Sequence, residues 1–201
     1  MQKQYKHSSE ALMEIVQNKQ FKDHQMTYDD VLNILGKRSF GILLLFFALP
    51  CLLPLTLLPG FAAIFCLPIL IFSSQIILGK KKLWLPKKIA QRKINQKTVS
   101  EIIHKAVPYL KILEHFLKPR WDFMISHVME KINGLVIFFL ALILMIPIPF
   151  SNLVFALLLI SFALGFIAHD GVFILLGYAG AIIYIGLIYL VVLTTINSIL
   201  F

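Results

Sequence analysis

The chain is poor in acid and nearly devoid of charge in its last third. Ten Asp and Glu stand against 19 Lys and Arg in 201 residues, and every Lys and Arg lies at or before Lys131. Beyond Lys131 the only charged residue is Asp170. This excludes an evenly solvated globular surface, and with 59% hydrophobic residues the composition reads as an integral membrane protein. Cysteine is scarce too. Cys51 and Cys66 cannot make a disulfide framework and lack metal-ligand spacing, so no metal site is expected. There is no P-loop, no GxGxxG and no HExxH, and no nucleophile–base–acid arrangement is visible. The sequence therefore reads as a non-enzyme without a cofactor. Residues 1–39 hold no apolar run, so no signal peptide is expected.

What is present is a basic net charge of +9, placed in segments that flank apolar runs. The expected partner of those cations is anionic lipid rather than nucleic acid. Residues 1–39 read as a cytoplasmic helical segment, with a weak stripe of Ala11, Leu12, Ile15 and Val16. Thr27 and Asp30 have capping-box spacing ahead of Val31, Leu32, Ile34 and Leu35, and Gly36 is the expected stop. Residues 40–79 carry no charge and have basic residues at both ends, so they enter and return as a hairpin. Cys51 and Cys66 then fall at similar depth on opposite arms, as packed thiols or as a functional pair.

Residues 80–131 form a basic loop with 13 Lys or Arg. Thr98 and Glu101 start an amphipathic helix expected on the membrane surface, which Pro108 bends or divides. Lys80, Lys81, Lys82 and Trp84 read as a lipid-facing basic anchor, and Trp121 as a second interfacial anchor. Residues 132–168 are a second uncharged hairpin up to His169, and 169–201 hold a C-terminal membrane span, roughly 172–194. Gly171, Gly177, Gly180 and Gly186 in that span point to close helix packing.

The two hairpins resemble each other. Gly41 precedes Pro54 by the same 13 positions that separate Gly134 from Pro147, and a second proline follows each, Pro59 and Pro149. Both copies start on the cytoplasmic side, which makes the repeat parallel. Proline frees the carbonyl four residues earlier, so Phe46 before Pro50, Ile143 before Pro147 and Met145 before Pro149 are candidates. Returning helices start at Gly60 and at Ser151-Asn152, and helix N-termini suit anions or polar headgroups. Pro54, Pro59, Gly60, Pro147, Pro149, Ser151 and Asn152 are therefore the candidate substrate-binding residues. The elbows lie either inside the bilayer, as re-entrant turns, or at its far surface. Asp170 reads as a helix cap or as a gate or proton site, and Gln75 as packing glue or a site residue.

Taken in order, "TYDDVLNILGKRSFG" at 27–41, "LP-x3-P-x4-PG" at 49–60, "LP" at 67–68, "GKKKLWLPK" at 79–87, "IPIPFSN" at 146–152 and "DG" at 170–171 resemble the ExoD family of bacterial membrane proteins. The resemblance covers nearly the whole chain. It implies a multi-pass inner-membrane protein that supports exopolysaccharide synthesis or export, with the N-terminus in the cytoplasm. It implies no reaction and carries over no catalytic residue. Membrane lipids and polysaccharide-biosynthesis proteins are the partners it implies, with homo-oligomerisation open.

Overall fold

The computed structural model describes residues 27–53, 61–80, 82–92, 120–146 and 151–200. The stripe at 11–16, the elbow residues Pro54, Pro59, Gly60, Pro147 and Pro149, Lys81, and the amphipathic helix expected from Thr98 lie outside the described residues.

Among the described residues every regular element is helical. Helix α1, Tyr28–Leu35, starts on the expected capping box: the Thr27 N–H donates to Asp30 Oδ2 at 2.9 Å, and the Asp30 N–H donates back to Thr27 Oγ1 at 3.4 Å. These bonds from Thr27 hold the Asp30 carboxyl below the usual carboxylate range. The cap therefore contributes stability above the ordinary carboxylate pKa and loses it as pH falls through the lowered value. Gly36, at φ 52, ends α1.

Helix α2, Arg38–Ala48, runs into a 3-10 turn, Leu49–Leu52, whose start Pro50 tolerates because few N–H groups are needed there. Helix α3, Phe61–Ile77, returns and continues through Pro68. After the short α4, Lys87–Ala90, and a 3-10 turn, Asp122–Ile125, helix α5, His127–Leu144, begins the second hairpin. Helix α6, Ser151–Ala168, returns, and α7, Gly171–Leu200, follows after a two-residue turn. At the second elbow the Ile143 carbonyl, expected to be free, accepts from the Ile146 N–H at 2.9 Å. Tighter winding of the last turn recovers the partner that Pro147 removes.

The helices α3 and α6 stop in the same way. Gly79 is left-handed at φ 71, and the Lys80 N–H donates to the Gln75 carbonyl at 3.1 Å. In the second hairpin His169 takes that place at φ 55, and the Asp170 N–H donates to Gly165 at 3.1 Å. The second stop is thus His169, and Gly171 is the first residue of α7.

Packing crosses between the hairpins. The most extensive contacts are α3 on α5 and α2 on α6, both exceeding those within either hairpin. Two glycines make this approach possible. A Cβ on Gly41 would stand 2.8 Å from the Ala163 carbonyl oxygen and 2.9 Å from Phe166 Cβ. One on Gly134 would stand 2.9 Å from Ile76 Cγ2 and 3.1 Å from the Ile77 nitrogen. Backbone meets backbone at both crossings, so only glycine fits without displacement. Between them the seam is filled by Ile69, Ile137, Leu140, Leu144, Phe155, Leu159 and Phe162, all essentially solvent-free.

Helix α7 lies on α6. Gly177 receives the Phe162 ring and Gly180 receives Leu158, where added Cβ atoms would stand 2.7 and 2.5 Å away. Tyr178 and Tyr184 pack edge-on to Phe162 and Phe155, with centroids 5.3 and 5.2 Å apart. Gly186 faces open space, so the glycine face expected over four positions ends at Gly180. Among the described residues two helices, α5 and α7 up to Ser198, are long and apolar enough to cross a membrane. Only 6% of the most apolar part of α7 is buried in the protein, whereas the core helix of a soluble domain would be mostly buried.

Candidate functional site

All four hairpin ends meet at one end of the bundle, and most described polar contacts lie there. Lys37, just before α2, reaches Glu130 in the first turn of α5 at 2.6 Å, and Glu130 is buried. This ion pair joins the start of one hairpin to the start of the other. An acid in the first turn also suits the positive end of the α5 dipole. One turn further, Asn133 is fully buried; its Nδ2 donates to the Met124 carbonyl at 2.9 Å, and its Oδ1 accepts from the Tyr178 hydroxyl at 2.7 Å. The amide thereby ties the loop before α5 to α7, and burial pairs its groups as an apolar interior requires. The Ser161 hydroxyl donates to the Phe173 carbonyl at 2.6 Å, a polar tie between α6 and α7.

Gln75 clamps the chain that leaves α3. Its Oε1 accepts from the Trp84 N–H at 2.7 Å and its Nε2 donates to the Trp84 carbonyl at 3.1 Å, so the side chain reproduces one rung of a β-ladder. An amide held at both ends carries no titrating proton and serves to fix Leu83 in the core. Gln75→Leu removes both bonds and leaves the Trp84 backbone groups unpaired. A loss of about 2 kcal/mol is expected, read as a lower unfolding midpoint in detergent with the helical signal retained.

The basic anchor divides. Lys80 lies over the Trp84 ring at 5.1 Å, and Trp84 is exposed, as an interfacial pair should be. Lys82 turns instead to α1, with Nζ 3.1 Å from Asp29 Oδ1 and 2.6 Å from Asn33 Oδ1. Trp121 is exposed and stacks on Phe123. Ser73 and Ser74 both donate back to the Leu70 carbonyl. Asp170 is buried at the start of α7, and its Oδ1 accepts from the Val172 N–H at 3.0 Å, the geometry of a helix cap. The Gly171 N–H donates to the Arg120 carbonyl at 2.8 Å, where a side chain on Gly171 would strike the Trp121 carbonyl.

At the opposite end, Ser151 opens α6 and Asn152 is buried in its first turn. Cys51 and Cys66, read as lying at similar depth on opposite arms of one hairpin, do meet: their side chains interact and both are buried. The structure thus separates the predicted site residues. Gln75, Lys80, Lys82, Trp84 and Asp170 gather at the basic end, and Asn152 lies at the other. Glu130 escaped sequence reading because Lys131 marked the edge of the apolar run, while α5 starts four residues earlier, at His127; Asn133 lies inside that run, and its partners Met124 and Tyr178 are distant in sequence.

The family described as Exopolysaccharide synthesis, ExoD matches residues 8–190. The chain belongs to the ExoD family. It is 29% identical to Protein ExoD of Rhizobium meliloti over 161 residues, covering 78% of this chain and 66% of that protein. It is 31% identical over 142 residues to an uncharacterised protein of Synechocystis sp., covering 70% of this chain and again 66% of the relative. This ExoD-family chain therefore spans just under two-thirds of the length of the curated relatives it matches. No solved structure matches it.

Proposed function

We propose that this ExoD-family chain is a multi-pass inner-membrane protein that supports exopolysaccharide synthesis or export. In this reading its two hairpins are parallel copies that enter from the cytoplasmic face. The observation that carries it is the reciprocal crossing: α2 on α6 and α3 on α5, each closed at a glycine, with all four hairpin ends at the basic end. Two like hairpins meeting along one seam can separate as units, and the Lys37–Glu130 pair is the contact that holds their starts together. Such a seam would let a polar or lipid-linked anionic species pass when the hairpins part.

The returning helices have 17 and 18 residues. At 1.5 Å per residue they are about 26 and 27 Å long, close to a hydrocarbon core of about 30 Å. That supports elbows near the far surface over turns buried at the midplane. Single cysteines placed at Ile146 or Leu153, in a chain lacking Cys51 and Cys66, should react with a membrane-impermeant maleimide only from the face opposite Lys131. Equal labelling from the Lys131 side would sink the two-hairpin orientation.

A second reading, an assembly partner for biosynthetic enzymes, draws on the same seam, whose described interior is apolar and filled. Reconstituted vesicles separate the two. Accelerated flipping of a fluorescent polyprenyl phosphate, slowed by Gly134→Val, supports passage. No acceleration, together with co-purifying biosynthesis proteins that are lost on neutralising Lys80 and Lys82, supports assembly.

A further inference from the structure

The cysteine pair is the feature that the proposed function leaves unused. Cys51 ends the first arm in the 3-10 turn Leu49–Leu52, and Cys66 lies in the second turn of α3. The two are fifteen positions apart, on opposite arms of one hairpin. Their side chains are 1% and 0% exposed and interact with each other. Cys51 Sγ also lies 3.5 Å from the Phe47 carbonyl oxygen, one turn back on its own arm, which directs the sulfur inward. Both belong to the same apolar cluster as Ala48, Leu144 and Phe155. Two neighbouring thiols on opposite arms of one hairpin are the arrangement from which a disulfide forms.

We propose that Cys51 and Cys66 form a reversible disulfide that joins the two arms of the first hairpin at its elbow end, with a lipid-soluble quinone as the oxidant. The chemistry balances. Two S–H bonds break and one S–S bond forms, and the two protons and two electrons released reduce one quinone to its quinol. The surroundings select this class of oxidant. Both thiols are buried, so water-borne exchange reagents reach them slowly. A hydrophobic quinone partitions into the phase that surrounds this end of the bundle. The pair also sits at the end away from the cationic residues, the side on which disulfides persist in bacteria.

The bond would fix the separation of α2 and α3 at the elbow without touching the crossings at Gly41 and Gly134. It is therefore independent of whether anything passes along the seam.

The test uses the full chain in lipid nanodiscs, reduced and freed of reductant without air. A fully substituted benzoquinone with a short alkyl tail is added, and the protein is then denatured and alkylated with N-ethylmaleimide. The expected result is loss of both alkylation sites together, with an intact mass lower by two hydrogens and full recovery after dithiothreitol. Cys51→Ser and Cys66→Ser should each keep one alkylatable thiol under the same treatment, with no chain-to-chain linkage. Two thiols still alkylatable after quinone exposure would overturn the proposal. So would quinone adducts, disulfide-linked dimers, or oxidation by diamide alone with the quinone inert.

Discussion

Gly41→Val should sharply lower the yield of folded protein and the stability of what remains. The added side chain would start 2.8 Å from a backbone oxygen on α6, and a backbone cannot yield as a rotamer can. Overpacking of a filled core costs about 1–3 kcal/mol, and the upper part of that range is expected here because Ala163, Phe166 and Ile167 close the site on three sides. Gly134→Val meets Ile76 and the Ile77 nitrogen in the same way and should cost a similar amount. Thermal unfolding of the two single variants and the double variant, measured in one detergent, checks this. Crossings with no shared partners should give nearly additive losses. Gly186→Val is the control: nothing stands within 4 Å of its would-be Cβ, so no loss is expected. A wild-type midpoint for Gly41→Val would remove the crossing as the contact that sets hairpin distance.

Reversing the Lys37–Glu130 pair gives the second large effect. Glu130→Lys leaves two cations facing each other at a distance where the native pair is 2.6 Å apart. Lys37 is itself partly exposed, which screens the interaction, so a cost of about 2 kcal/mol is expected rather than that of a fully buried pair. Lys37→Glu combined with Glu130→Lys should recover most of the loss. Lys37→Met combined with Glu130→Met should keep the fold but loosen the link between hairpin starts, raising hydrogen exchange in the first turns of α2 and α5. If the charge-reversed double variant is no more stable than Glu130→Lys alone, the pair does not join the hairpins.

The local features were legible in the sequence, and the pairings were not. Thr27 and Asp30 announce a capping box because both partners lie within one turn. The charge-free runs announce apolar helices, and the spacing of Cys51 and Cys66 about a fold-back places them in contact. Which helix packs on which is another matter. Every arm is apolar around most of its circumference, so periodicity marks no preferred face. Gly41 and Gly134 stood out as the start of a repeat, but nothing local shows that each packs against the other hairpin. Gln75 was ambiguous for the same reason: its partner is the backbone of Trp84, and backbone partners leave no trace in residue identity. Glu130 lies 93 positions from Lys37, and neither is informative alone.

The reciprocal crossing also sets a timetable for biosynthesis. Ala163, which covers Gly41, emerges 122 positions after it. At about 5–20 residues per second the ribosome needs roughly 6 to 24 seconds to deliver it. Until then the first arm carries a surface shaped for an absent neighbour, open to proteolytic surveillance. Truncated chains ending before α6 should therefore be short-lived in the cell, even when every residue of the first hairpin is intact.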